Sequence, residues 1–424
     1  MDNYTYDANG ALTSYVVTYN GSAIYAESIS SRDGNGRILA RTETAGTSTH
    51  VWSYRYDSAG RLVSATEDGA TLSQYSYDVD DNRATRMQAQ GTLSAVYDAQ
   101  DRLLSYGETS YTFGPGGDLQ AKFNAGSATE YEYDAFGNLL TVELPGGTTI
   151  GYIVDEKSRR VGKTVGGVVT KGFLYDNELH IVAQLDGGGN IVSRFVFGSK
   201  ANVPDYFVSE AGTFRILSDH LGSPRMVVNV TDGTVAEEID YDEFGNVVDD
   251  TQPGLIPFGF AGGQYDSDTA LLRFGARDYD PSVGRWTARD PLKFRGSPLN
   301  LYDYAQGDPV NYVDLDGQGV VAGLAVGLAC AAYDTYQAVQ TLNQLNALQA
   351  QLTALQTQRL RDLQTSCDAD NAAGAYGEEN ELEAQIYSLT LAYARTQNNG
   401  AFSTAETSAA CLILAGVATL LPTP

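Results

Sequence analysis

Ser53-Tyr54-Arg55-Tyr56-Asp57-Ser58-Ala59-Gly60-Arg61-Leu62-Val63-Ser64-Ala65-Thr66 decides how this chain is read. Tyr54 and Tyr56 alternate with polar residues, as one face of a strand does. Asp57 opens a turn, because its carboxylate accepts backbone N–H bonds. Gly60 closes it, where the chain must reach positive φ. Leu62-Val63 carries the chain back, and Gly69 makes the return turn. The stretch is a hairpin, and it recurs. Tyr6-Asp7…Gly10, Tyr133-Asp134…Gly137 and Tyr241-Asp242…Gly245 repeat it, while Arg32-Asp33…Gly36, Tyr77-Asp78, Tyr97-Asp98 and Tyr175-Asp176 are worn copies. Asp57, Asp78 and Asp98 are 21 and 20 residues apart, and Asp134, Asp155 and Asp176 are 21 and 21 apart.

A fixed period near this length marks a stacked-repeat architecture. One hairpin cannot bury its own apolar face, so neighbouring repeats must join. The chain holds 45 Gly, and its 28 Tyr outnumber 14 Phe twofold, which suits tight turns and half-buried aromatic faces. Tyrosine offers a large apolar ring with a hydroxyl that can stay wet. Helical periodicity is absent before about residue 318. The expected fold is therefore mainly β: stacked hairpins forming a curved or spiral sheet, followed by a small all-α C-terminal region.

These residues resemble the YD-repeat (Rhs) family. The resemblance sharpens downstream, where Asp219-His220-Leu221-Gly222-Ser223-Pro224-Arg225 is followed by Phe258-Gly259-Phe260-Ala261-Gly262 and Leu272-Arg273-Phe274-Gly275-Ala276-Arg277-Asp278-Tyr279-Asp280-Pro281. Gly284-Arg285-Trp286-Thr287-Ala288-Arg289-Asp290-Pro291 and Asn300-Leu301-Tyr302-Asp303-Tyr304 complete a segment similar to the Rhs repeat-associated core. The match spans roughly residues 1–317. It divides the chain into a YD-repeat shell segment (1–214), a core segment or plug (215–317) and a variable C-terminal region (318–424). The family, with the related insecticidal toxin-complex subunits, implies a hollow β-shell. A plug closes one end, and a C-terminal passenger, often toxic, is freed by self-cleavage just after the core.

Charge and cysteines narrow the partners. The net charge is −26, which excludes duplex nucleic acid as a surface partner. Cys330, Cys367 and Cys411 all lie in the tail, so disulfides do not hold the repeats together. No secretory signal precedes the repeats, because Asp7 and Asn9 interrupt any apolar run. The chain starts within a repeat, which reads as the distal end of a longer shell.

Composition changes abruptly at residue 318. Gly319 to Tyr333 is apolar and uncharged, and Leu342, Leu345, Leu348, Leu352 and Leu355 follow at helical spacing. A second apolar stretch ends the chain at Ser408 to Leu421. Each is about fifteen residues long, short of the roughly 20 that a membrane span needs. A buried helical bundle is the plainer reading. A membrane-active passenger is the sharper one. The tail has no His and no Lys, which disfavours an enzymatic toxin, and Glu378-Glu379-Asn380-Glu381-Leu382-Glu383 reads as a solvated helix start.

Chemistry, where present, is expected at Asp290 and Asp314. The resemblance places them in two Asp-Pro-x-Gly-like motifs implicated in self-cleavage. Paired carboxylates do not ionise together easily, so one acts as acid while the other activates water. Arg285 or Arg289 is expected to orient the segment. Both motifs depart from the family pattern, reading Asp290-Pro291-Leu292-Lys293 and Asp314-Leu315-Asp316-Gly317-Gln318. The expected scissile bond follows Gln318. At most this is single-turnover autoproteolysis. No cofactor and no metal site is expected. His220 stands far in sequence from His50 and His180 and reads as a structural residue. Asp78 to Asn82 and Asp314 to Gly317 lack a calcium-loop ligand set.

The reading is a shell-and-plug fragment carrying its own C-terminal region in bacterial competition, secreted or surface-exposed by a route the chain does not encode. Its partners would be an upstream shell portion, an immunity protein or secretion machinery, and a membrane for 318–424. Two alternatives stand beside it: a cell-surface or carbohydrate-binding repeat protein, and an inactive remnant.

Overall fold

A computed structural model describes residues 1–292, 300–319 and 321–322. Twenty-four strands, from β1 (Asp2–Tyr6) to β24 (Val247–Asp250), form one sheet. Each strand pairs antiparallel with the next in sequence, so the sheet is an unbroken meander that runs through residue 214 to Asp250.

Most repeat turns share one geometry; at Tyr175-Asp176 the Asn177 side chain accepts the turn N–H groups instead. Asp57 N–H donates to Arg61 O (3.0 Å), and Gly60 N–H donates to Asp57 O (3.1 Å). Asp57 Oδ1 accepts from the N–H groups of Ala59 and Arg61, both at 3.0 Å. Its other oxygen takes the Arg61 side chain at 2.8 Å. Asp33, Asp98 and Asp155 do the same with Arg37, Arg102 and Arg159, and Asp134 and Asp242 with Asn138 and Asn246. Gly60 sits at φ 98°. In the worn copies Asp81, Asp101 and Ser158 take its place at φ 63°, 60° and 62°.

At four of the turns the tyrosine before the aspartate locks one repeat onto the last. Tyr56 Oη donates to Ile38 O (2.8 Å), Tyr77 to Leu62 O (2.9 Å), Tyr97 to Arg83 O (2.9 Å) and Tyr175 to Arg160 O (2.9 Å). These four hydroxyls are held by the protein itself. Each satisfies a carbonyl 14 to 18 residues upstream. Arg37 lies over Tyr56 and Arg61 over Tyr77, so the turn arginine also covers the next repeat's ring.

The sheet returns over its own start. Tyr15, Val17 and Tyr25 share a core with Leu217, Met226 and Val228. Side chains from residues 251–292 and 300–317 pack against the sheet. Val310 packs with Trp52, Tyr54 and Tyr75, Leu271 and Val283 with Tyr111 and Tyr131, and Ile256 and Phe258 with Phe173 and Phe195. The segment carries a small sheet of its own: β25 (Gln264–Asp266), β26 (Leu271–Phe274), β27 (Arg277–Asp280) and β28 (Arg285–Trp286). Phe274, Tyr279, Trp286 and Tyr304 form an aromatic centre between these strands and the loops that follow.

A last hairpin pairs β29 (Tyr312–Val313) with β30 (Val321–Ala322). That pairing removes two residues from the expected helix. The rest of the expected helical region, with Cys330, Cys367 and Cys411 and both readings of the tail, lies outside the described residues. Among the described residues no helix is long and apolar enough to cross a membrane.

Candidate functional site

One guanidinium organises the end of the core segment. β26 and β27 are joined by Gly275-Ala276, and the first residue of β27 is Arg277, 3 % exposed. Its Cζ lies 4.1 Å from the Trp286 ring centroid. Arg277 Nη2 contacts Asp290 Oδ2 at 2.9 Å and Asp314 Oδ2 at 3.1 Å. Arg277 Nη1 donates to Leu301 O, and Nε donates to Gly317 O. Two buried carboxyls, far apart in sequence, thus meet on one nitrogen.

Asp314 faces the other way as well. Its Oδ1 accepts from Gln318 N–H at 3.0 Å and Gly319 N–H at 3.1 Å. Asp316 Oδ1 also accepts from Gln318 N–H, at 2.9 Å. The hairpin turn is therefore wrapped around Asp314, with the nitrogen of the Gln318–Gly319 peptide against its carboxyl. Close approach of two turns makes this possible. A Cβ on Gly275 would stand 2.5 Å from Asp316 O, and one on Gly317 would stand 2.5 Å from Phe274 O. Only glycine fits at either place.

Burial pushes the Asp314 carboxyl up to about 6, against the downward pull of Arg277. An acid of that strength holds its proton for part of the neutral range. The arrangement can therefore donate a proton from Asp314 to an amide nitrogen while Asp290, on the same guanidinium, accepts one from water.

Arg285 does not join this pair. Its guanidinium bonds Asn82 Oδ1 (2.9 Å) and Asp101 O (2.6 Å) and lies over Tyr97, pinning the core segment to the repeats. Arg277 occupies the place that Arg285 or Arg289 was expected to fill. Nothing in the spacing marked it, because it opens a four-residue strand and meets its partners only through the fold. His220 is buried, with Nδ1 2.7 Å from Glu27 Oε1 and Nε2 2.9 Å from Val310 O. It ties the first repeats to the core segment. Burial alone would lower its pKa, but Glu27 outweighs that and raises it. Asp78 Oδ1 accepts from Asp80 and Asn82 N–H, the same turn chemistry as elsewhere. His50, Glu67 and Asp68 lie together at the surface, with His50 Nδ1 2.9 Å from Glu67 and 3.1 Å from Asp68. Hydrogen bonds within the trio account for their closeness.

Comparison with known proteins bears on the whole assembly. A family model described as Teneurin YD-shell matches residues 2–310. Teneurin-1 of Gallus gallus is 27 % identical over 297 residues, which cover 66 % of this chain and 11 % of that protein. The tRNA nuclease WapA of Bacillus subtilis (strain 168) is 29 % identical over 293 residues, 66 % of this chain and 12 % of that protein. The chain thus spans about a tenth of the length of these curated relatives. The crystal structure of TcdB2-TccC3-Cdc42 superposes with a TM-score of 0.51 at 16 % identity, over 75 % of this chain and 18 % of that one, a likeness of fold.

Proposed function

The chain belongs to the teneurin YD-shell family, and from that premise we propose that it is a shell segment, closed on its own core, that carries its C-terminal region behind a self-cleaving hairpin. The family match ends at residue 310, which supports reading residues 318–424 as the passenger. The resemblance to WapA, whose name gives it a tRNA nuclease activity, supports a shell that carries a toxic payload out of a bacterial cell.

One observation carries the cleavage reading. Asp290 and Asp314 share Arg277 Nη2, and Asp314 Oδ1 lies 3.1 Å from Gly319 N. Asp290 takes a proton from water, whose oxygen attacks the Gln318 carbonyl carbon. Protonated Asp314 gives its proton to Gly319 N as the C–N bond breaks. The products are a carboxyl at Gln318 and an amine at Gly319. Arg277 holds both aspartates in place and stabilises charge on the segment.

Intact-mass analysis of the purified full chain tests this. Two species are expected, one ending at Gln318 and one starting at Gly319. Asp290→Asn and Asp314→Asn are each expected to leave the chain whole with an unchanged far-UV spectrum. A single full-length species from wild-type protein incubated from pH 5 to pH 8 ends the cleavage reading. Dye release from liposomes by residues 318–424 is the separate test of a membrane-active passenger.

A further inference from the structure

One imidazole joins the first repeats to the core segment. His220 lies in the turn between β21 (Gly212–Ser218) and β22 (Pro224–Asn229), and its side chain is 2 % exposed. Glu27 of β3 (Ser22–Arg32) stands on one side, with Oε1 2.7 Å from Nδ1. The Val310 carbonyl stands on the other, 2.9 Å from Nε2. A carboxylate and a carbonyl can only accept. A neutral imidazole carries one N–H and one lone pair, so it serves one of them and turns its lone pair on the other. Only the imidazolium donates to both.

The charged groups around the ring are all engaged. Glu27 Oε1 also takes Arg41 Nη1 of β4 (Ile38–Ala45) at 3.1 Å, while its Oε2 is buried with no partner. Glu43, on the same strand, is held by Arg41, Arg225 and the Tyr25 hydroxyl. The Asp219 carboxylate accepts from Leu221 and Ser223 N–H within the turn, and Lys200 bonds the Ser218 and Asp219 carbonyls. Burial would lower the His220 pKa and Arg41 pulls the same way, but Glu27 and Asp219 outweigh them and raise it. Val310 belongs to a loop laid on the first repeats. Asn311 Oδ1 accepts from Ile38 N–H at 2.8 Å, and Asn311 Nδ2 donates to Tyr56 Oη at 2.8 Å.

From two acceptors on one buried ring, we infer that His220 is a latch released by alkali: as an imidazolium it fastens the Val310 loop to β3, and loss of its proton lets the loop part from the repeats. Linkage gives the sign. A histidine whose pKa is raised by folding contributes fully below its unfolded value, and that contribution goes as pH rises through the folded one. Asp308, raised to about 7 by burial, gives up its proton earlier in the same climb. The latch uses neither Asp290 nor Asp314, so it stands or falls independently of cleavage.

NMR of the full-length chain labelled with nitrogen-15 histidine tests it. Long-range proton–nitrogen spectra tell an imidazolium from either neutral tautomer, and the His220 signals are those lost in His220→Gln. At about pH 8 an unperturbed imidazole is neutral, whereas His220 is expected to carry both protons and to lose one before about pH 10. Ile38 N–H reads the docking, because its acceptor sits on the loop. Its exchange protection, corrected for the intrinsic rate, is expected to fall on the order of tenfold over the same step, as befits one hydrogen bond to a charged group. The fall should persist in Asp308→Asn, and Glu27→Gln should move both events to lower pH. A neutral His220 at pH 8 overturns the inference. So does an imidazolium that persists past pH 10, and so does a proton loss that leaves Ile38 protection unchanged.

Discussion

The repeat turns and the core segment handle charge in opposite ways. In the turns, ion pairs are local and shallow: Asp33 with Arg37, Asp57 with Arg61, Asp98 with Arg102 and Asp155 with Arg159, all four residues apart and part-exposed; between strands the repeats also bury Arg41 against Glu27 and Glu43. In the core segment they are distant and buried. Asp278, 1 % exposed, takes Arg160 from the repeats and Arg273 from its own sheet. Arg277 gathers Asp290 and Asp314. Exposed pairs contribute little each, whereas breaking a buried pair leaves an uncompensated charge. The repeats therefore gain stability by repetition, and the core segment depends on a few contacts that cannot be lost singly.

Asp278→Asn is the most severe test of that contrast. It strips the charged partner from Arg160 Nη2 (2.6 Å) and Arg273 Nη1 (2.8 Å) at once. A loss of about 3–5 kcal/mol is expected in urea denaturation. Asp57→Asn, the same change in a repeat turn, is expected to cost about 1 kcal/mol or less. Equal losses at the two positions would erase the distinction.

pH separates the two regions by sign. The turn aspartates Asp33, Asp57, Asp98 and Asp155 have lowered pKa values: burial, the largest single influence, raises them, and hydrogen bonds from the turn arginines and backbone, with the arginine charge, together more than reverse that. Their contribution is present above the ordinary aspartate value and is lost as pH falls. In the core segment, burial raises Asp308 to about 7 and Asp314 to about 6. A group raised by folding contributes fully below its unfolded value, and that contribution is gone once pH passes the folded one. The core segment is therefore expected to weaken between about pH 4 and pH 7, while the turns hold. Hydrogen exchange at pH 5 and pH 8 reads the two regions separately. After correction for the intrinsic exchange rate at each pH, protection around Tyr304 and Val313 is expected to fall by on the order of tenfold at pH 8, with little change near Tyr56 and Tyr77. Asp308→Asn should flatten the profile.

The same contrast sets what the sequence reveals. The turn and tyrosine contacts within the repeats lie within about one period, as Asp57 to Arg61 and Tyr56 to Ile38 do. Those spacings can be read by eye, and the meander was legible from them. The destination of the tyrosine hydroxyl was not, because alternation shows which face is buried but not what the polar tip meets. In the core segment the spacing carries no such information. Arg277 reaches Asp314 across 37 positions, and Arg285 reaches Asn82 across 203. Asp290 and Asp314 were found through family motifs. Arg277 has no local signature, because the sheet brings it to the pair. The tail's expected helices lie outside the described residues.

A milder probe of the repeats removes one staple. Tyr97→Phe deletes the donor to Arg83 O (2.9 Å) and keeps the ring. The carbonyl loses its partner in a half-buried place, so a loss of about 1 kcal/mol is expected in urea denaturation. A change near zero would mean that water satisfies Arg83 O as well as tyrosine does.

The smallest effect lies in the turns themselves. Ser158 holds the position that glycine holds in the clean repeats, at φ 62°. A side chain there costs roughly 1–2 kcal/mol against a right-handed conformation. Glycine removes that strain but gives the unfolded chain more freedom, by roughly 0.5–1 kcal/mol. Ser158→Gly is therefore expected to stabilise by about 0.5 kcal/mol, since the Ser158 carbonyl bond to Arg273 belongs to the backbone and survives. Gly60→Ser, its mirror at φ 98°, should destabilise by a larger amount, because Arg37 Nη1 already lies 3.0 Å from where its Cβ would stand. If both substitutions moved stability the same way, the repeat turn would not be the single interchangeable unit that the meander requires.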